Sequence, residues 1–133
     1  MPEPDPYRNF KFRLFQDDRC VAAFSAVDAP PEQQLLTLER GVTYDSEFEA
    51  WVRESVRHGV TFGVRDFLLV VYNANGQRLT SYRVHRSHAT AWLALPYMDS
   101  DKIAVRALKL ACDGWDEAPG DNLESGRPRE DYE

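Results

Sequence analysis

Period-two hydrophobic patterning and short apolar runs dominate this chain, and they restrict it to a fold built mainly from β-strands. Residues 10–15 alternate apolar and basic side chains, which is typical of a strand with one buried face. A polar Asp17-Asp18 turn and a second apolar stretch at 20–27 complete a predicted hairpin. Further strands are predicted at 35–38, 67–72, 77–84, 89–95 and 103–111.

The connections between these strands carry turn signals. Asn75-Gly76 favours a tight hairpin after the continuous apolar run at 67–72, which has the composition of a strand covered on both faces. The strand at 35–38 is predicted to end at Arg40-Gly41, where the glycine indicates a tight turn. Residues 85–88 are predicted to form a polar turn between two strands.

One helix is predicted, over residues 46–58. Ser46 and Glu49 have the spacing of a capping box, and Gly59 is a typical stop. The buried stripe of this helix is predicted to consist of Phe48, Trp51, Val52 and Val56.

About seven strands and one helix predict a β-sandwich or barrel with the helix packed on it. The chain has 133 residues, which is enough for one domain. Residues 1–115 are predicted to form that domain, and 116–133 an acidic, disordered C-terminal tail with few apolar side chains.

Charge and composition exclude several classes of function. The net charge is −6, of which −5 lies in residues 116–133, so the body is almost neutral and has no basic footprint for nucleic acid. A near-neutral body suits a packed homo-oligomer, and equally any small soluble domain. No apolar run approaches the roughly 18–20 residues of a membrane span, so no stable membrane insertion is expected. Residues 1–6 lack the features of a secretory signal.

The search for reactive chemistry predicts no catalytic, cofactor-binding or metal-binding residues. Cys20 and Cys112 are expected to be buried free thiols, which favours a reducing compartment. His85 and His88 lie three residues apart, but no third metal ligand is evident near them. The chain also lacks a P-loop, a G-x-G-x-x-G fingerprint and a G-x-S-x-G elbow.

Several segments together resemble a known family. Residues 5–13 (DPYRNFKFR), 23–27 (AFSAV) and 38–45 (LERGVTYD) resemble tail tube proteins of contractile phage tails and phage-like contractile injection systems. The resemblance continues at 72–76 (YNANG) and 108–111 (LKLA), with Tyr82 and Trp92 at aromatic positions of the family, so it covers about residues 5–115.

This resemblance implies a structural, non-enzymatic role without cofactors. Family members form hexameric rings that stack into a tube inside a contractile sheath, so the implied partners are further copies of the chain, the sheath, the baseplate and other tail proteins. The implied location is the cytoplasm during assembly and then the virion tail or the injection particle. The residues expected at the subunit interface are Arg8, Asn9, Lys11, Arg13, Arg40, Gly41 and Tyr44. For Arg8-Asn9 and Arg40-Gly41, a purely local turn is the alternative.

The sequence departs from the family pattern between residues 28 and 36, where relatives carry an extended element and this chain carries a short segment with Pro30-Pro31. Two alternatives to the main tube subunit therefore stay open. One is a specialised paralogue that begins or ends the tube or docks at the baseplate, and the other is a small adaptor or binding module on the same fold.

Overall fold

The computed structural model describes residues 6–30, 32, 34–96 and 102–118. One α-helix, α1 (Ser46–His58), is followed directly by a 3-10 turn, Gly59–Phe62. The strands in chain order are β1 (Phe12–Gln16), β2 (Arg19–Asp28), β3 (Leu35–Thr43), β4 (Arg65–Tyr72), β5 (Arg78–Pro96), β6 (Ile103–Ala111) and β7 (Gly114–Ala118).

The strands form one antiparallel sheet that closes on itself. The order β4-β1-β2-β3-β6-β5 is completed by pairing of β4 with β5, which gives a closed barrel of six strands. β7 is an additional strand paired with β5. The prediction of a mainly β sandwich or barrel of about seven strands with one packed helix is confirmed. The barrel interior is filled by side chains that are fully or almost fully buried, among them Leu14, Phe24, Leu36, Leu38, Val84 and Leu108.

β5 is one strand of 19 residues, and it changes partners along its length. Its first half, residues 78–87, pairs with β4 on one side and with β7 on the other. Its second half, residues 88–96, pairs with β6. The predicted turn at 85–88 is therefore wrong, because the chain continues as a strand through a kink at Arg86. Arg86 has a φ of 54°, and its amide donates to Asp66 Oδ1 at 2.8 Å.

The helix has the predicted bounds, but its cap and its buried stripe differ in detail. Asp45, rather than Ser46, is the N-cap, since its Oδ1 accepts from the amide of Phe48 at 2.9 Å. Arg19 at the start of β2 donates to the other oxygen of the same carboxylate at 2.7 Å, which ties the cap to the barrel. Val56 is 40% exposed, and the position before it, Ser55, is buried instead.

Ser55 is buried because α1 packs on β5 just beyond the kink. Its Oγ accepts from the amide of Ala89 at 2.8 Å. Phe48 and Trp51 both contact the ring of Phe67 in β4, with ring centroids 5.9 and 5.5 Å apart respectively. The helix is thus held by aromatic contacts and by hydrogen bonds from the sheet, which include those from Arg19 of β2 to Asp45 and Glu47.

Gly41 lies inside β3 rather than in a turn, so the predicted end of this strand at Arg40-Gly41 is wrong. A β-carbon added at Gly41 would stand 2.0 Å from the carbonyl oxygen of Ala23 and 2.5 Å from the ring of Phe24. Glycine is therefore required because the backbone of β2 approaches closely, and β3 runs on to Thr43.

The strand β7 extends three residues beyond Trp115, the position at which the sequence predicts the end of the body. Asp116 and Glu117 are therefore strand residues, paired with Arg83 and Tyr82 of β5. The rest of the predicted acidic tail, residues 119–133, lies outside the described residues.

Candidate subunit interface

The second half of β5 leaves one strand edge open. Within the described residues, 88–96 pair only with β6, and α1 satisfies the amide of Ala89 alone on the opposite side. A strand edge of this kind presents unpaired N–H and C=O groups, which are a template for pairing with another chain.

Exposed leucines accompany this open edge. Leu93 is 59% exposed and Leu95 is 74% exposed, although both belong to an apolar run that ends a long strand. They line a shallow groove of about 680 Å³ together with Arg40, Gly41 and Arg106. We call this surface the leucine edge. It combines apolar side chains with two arginines.

Arg40 reaches the leucine edge through an unusual backbone conformation. Its φ is 56°, which residues other than glycine rarely adopt, and its side chain is 68% exposed, with a long 3.9 Å contact to Glu39. An arginine held this way on the surface is available to a neighbouring molecule.

A second open edge belongs to β7, and it is acidic. β7 pairs with β5 on one side, and among the described residues no strand pairs with its other side. Its Asp116 is 77% exposed, and its Oδ2 accepts a hydrogen bond from His85 Nε2 at 2.8 Å. Glu117 accepts a hydrogen bond from Thr80 Oγ1 at 2.7 Å. Because β6 and β7 lie along the same side of β5, this edge and the leucine edge face opposite directions.

A third surface collects the first four predicted interface residues. Arg8, Asn9 and Lys11 line a groove of about 470 Å³ with the turn between β4 and β5. We call it the basic groove, because its described lining residues include Arg8 and Lys11 and no Asp or Glu. Arg13 lies beside it, with its guanidinium 4.0 Å from the ring centroid of Tyr72 and donating to the carbonyl of Arg8 at 3.1 Å. The remaining lining includes Asn73, Gly76 and Leu79.

Tyr7 connects the segment before β1 to the last predicted interface residue. The amide of Tyr44 donates to the Tyr7 hydroxyl at 3.0 Å, and the two rings meet edge to face with centroids 5.7 Å apart. Burial raises the pKa of Tyr7 to about 12, so its hydroxyl stays protonated over the ordinary pH range. Tyr44 itself is 41% exposed.

The predicted interface residues thus fall on separate surfaces. The structure brings Arg8, Asn9 and Lys11 together at the basic groove, and it places Arg40 and Gly41 at the leucine edge. Sequence reasoning missed Leu93, Leu95 and the β7 edge. The unbroken apolar run at 91–95, which lacks the alternation of a half-buried strand, was the signal for the first two.

The described histidines and cysteines are possible sites of chemistry, but their neighbours belong to the fold. His58 lies 3.3 Å from Glu54 on the helix, and His85 pairs with Asp116. Both cysteines are free, and burial raises the pKa of the Cys112 thiol. Among the described residues no cluster of three or more His, Cys, Asp or Glu side chains forms a potential metal site.

None of the described helices has the length and hydrophobicity to cross a membrane.

Comparison with protein families gives a match to the family of the T4-like virus tail tube protein gp19 over residues 29–116. The matched region begins before β3 and ends within β7, so it covers about two-thirds of the chain. A comparison with curated proteins finds no match. The chain belongs to the T4-like virus tail tube protein family.

Family membership confirms the resemblance inferred from the sequence and defines the chain as a structural subunit of a phage tail tube. It implies assembly with further copies and with other tail proteins, and a location in the tail of the particle. It also indicates a non-enzymatic role.

Proposed function

We propose that this chain is a subunit of the inner tube of a contractile phage tail or phage-like injection system, and that it assembles into hexameric rings. The observation that carries the proposal is the pair of strand edges that no other described strand pairs with, one in the second half of β5 and the other in β7, which bears Asp116 and Glu117. A ring requires two different, complementary surfaces on every subunit, because each copy contacts one neighbour with each surface.

In the proposed ring, the β7 edge of one subunit pairs with the second half of β5 in the next subunit. Backbone hydrogen bonds across that junction remove both open edges at once. Arg106 lies one strand and Arg40 two strands away from that junction, in the groove that Leu93 and Leu95 line, so the two arginines add positive charge near the junction that favours an acidic neighbouring strand. Burial of Leu93 and Leu95 adds about 1.5–3 kcal/mol for each side chain that becomes fully covered.

The same proposal gives the chain its further partners. A tube subunit contacts the sheath along the outside of the ring and the baseplate at one end of the tube. Assembly takes place in the cytoplasm, before the tube becomes part of the virion tail or injection particle. The predicted interface roles of Arg8, Asn9, Lys11, Arg13 and Tyr44 stay predictions, because the edge pairing rests on other residues.

One observation favours a second candidate, a specialised paralogue that begins or ends the tube or docks it at the baseplate. The connection between β2 and β3 spans only the residues between Asp28 and Leu35. In the family this region is expected to contact the next ring, so a short connection favours a subunit that forms a ring without stacking on both sides.

Mass measurement and negative-stain microscopy of the purified chain test the proposal. The wild type is expected to form particles of six chains of 15.3 kDa each, as single rings for the paralogue and as tubes for the main subunit. A double variant, Leu93→Asp with Leu95→Asp, should stay monomeric, because it introduces two charges that a neighbour would have to desolvate.

The matched control is Val60→Asp, since Val60 has the same 59% exposure as Leu93 but lies in the 3-10 turn after α1. This control should assemble like the wild type. A wild-type chain that remains monomeric at high concentration, or a double variant that still forms rings, would contradict the proposal.

A further inference from the structure

We propose that the basic groove binds the chain's own acidic segment, residues 119–133. This inference goes beyond the ring proposal and does not depend on it. It rests on the charge of the groove, on the charge of the segment and on the direction in which β7 delivers the segment.

The basic groove is an unbalanced positive site. Arg8 and Lys11 both line it, and its lining within the described part of the chain contains no carboxylate. Among the described residues, no carboxylate lies within ion-pair distance of the Arg8 or Lys11 side chains. Two like charges in one groove attract an anionic partner, and a groove of about 470 Å³ with polar and apolar walls suits a peptide.

The segment carries the complementary charge. Residues 119–133 contain five acidic and two basic side chains, a net charge of −3. Its first part is the most uniform, because Asp121 and Glu124 precede the two arginines at 127 and 129. The acidic groups closest to the barrel are therefore unopposed by a base of the same segment.

The direction of β7 brings this part of the chain to the groove. β7 runs antiparallel to β5, and Ala118 pairs with Ser81, so the C-terminal end of β7 points toward the start of β5. Leu79, two residues before Ser81, already lines the groove. Three residues of extended chain span about 10 Å, which is enough to carry Asp121 from Ala118 past Leu79 to the turn between β4 and β5.

Tethering makes even weak ion pairs effective. A single exposed pair contributes little, but a segment attached a few residues away has a high effective concentration at the groove. Binding within one chain is therefore favoured over binding of the same segment from another copy.

Zero-length cross-linking of the full chain with a carbodiimide tests this inference. The chain has only three lysines, Lys11, Lys102 and Lys109. The lysine found in a cross-link to a carboxylate of 119–133 therefore shows where on the barrel the segment lies. Lys11 lies in the groove, and exposed Lys109 on β6 is the matched control. We expect Lys11 to carry about five-fold more cross-links to the segment than Lys109, and high salt should reduce this excess.

Two further arms decide the outcome. Mixed ¹⁵N-labelled and unlabelled chains should give cross-linked peptides of one isotope only, because the segment returns to its own groove. Arg8→Glu should reduce the Lys11 cross-links, whereas Arg57→Glu, an exposed arginine of α1, should not. Equal cross-linking of Lys11 and Lys109, isotopically mixed peptides, or no effect of Arg8→Glu would each overturn the inference. None of these outcomes depends on whether rings form.

Discussion

The two halves of β5 belong to one strand but have different surroundings. The first half is paired with β4, its residues 81–85 are also paired with β7, and its Ser81, Val84 and Ser87 are fully buried. Among the described strands, the second half is paired only with β6, and it exposes Leu93 and Leu95. The kink at Arg86 separates them.

One strand therefore contributes both to the closed barrel and to the proposed subunit interface. The first half closes the barrel, since its pairing with β4 is the last link of the six-stranded ring of strands. The second half extends past that closure and keeps an edge with which no other described strand pairs, although α1 packs against it at Ala89. Stability and assembly should therefore respond to substitutions in different halves.

The largest effect on stability is expected beneath the exposed half, at Gly41. Gly41 pairs with Val105, which in turn pairs with Ala94 of the second half, so it supports the leucine edge from the barrel wall. Gly41→Ala should lower the free energy of unfolding by about 3 kcal/mol, because the new methyl group would overlap the carbonyl of Ala23. Denaturant titration measures this loss. A variant as stable as the wild type would show that β2 and β3 can move apart at little cost in free energy.

A matched pair of alanine substitutions compares the two halves directly. Val84→Ala should cost about 2 kcal/mol of unfolding free energy, because Val84 is fully buried in the barrel core. Leu95→Ala should cost less than about 0.5 kcal/mol, since its side chain is exposed. Thermal or chemical unfolding of the monomers gives both values. Equal losses of unfolding free energy in the two variants would contradict the distinction between a buried first half and an exposed second half of β5.

The smallest effect concerns Tyr7, which belongs to neither half and serves as a reference. Burial raises its folded-state pKa to about 12, whereas the unfolded chain ionises near the ordinary value of 10.0. The unfolded state therefore releases this proton first, so its contribution to stability is complete below pH 10 and declines as the pH rises toward 12. Tyr7→Phe should lack this alkaline decline. Unfolding curves of both proteins from pH 8 to pH 11 measure the difference, and parallel pH profiles would contradict it.

Local patterns predicted the elements of this fold well. The helix bounds followed from an acidic first turn, a stripe of apolar residues and Gly59, and the structure confirms the bounds 46–58. The prediction that Ser46 caps the helix was wrong, because the residue before it, Asp45, also belongs to a type that caps helices and accepts from the amide of Phe48, while Arg19 holds its other carboxylate oxygen. The prediction that Val56 is buried was wrong, because the helix packs on β5 through Ser55.

Pairing between distant strands was beyond local patterns. Residues 85–88 have the composition of a turn, but contacts with Asp66 and with Asp113 hold Arg86 in a kinked strand. Gly41 correctly indicated a position where only glycine fits. The reason is the close approach of the carbonyl of Ala23, which lies eighteen residues earlier in the chain. The candidate interface was only partly predicted, since a sequence does not reveal which strand edges stay unpaired.

Hydrogen exchange of the two halves of β5 tests the central claim most directly. Peptides covering 78–87 and 88–96 are compared between the assembled wild type and the Leu93→Asp, Leu95→Asp double variant. Assembly should slow exchange in 88–96 and leave 78–87 unchanged, because only the second half gains new backbone hydrogen bonds. If 88–96 exchanges equally fast in the assembled particle and in the variant, the leucine edge is not the subunit interface.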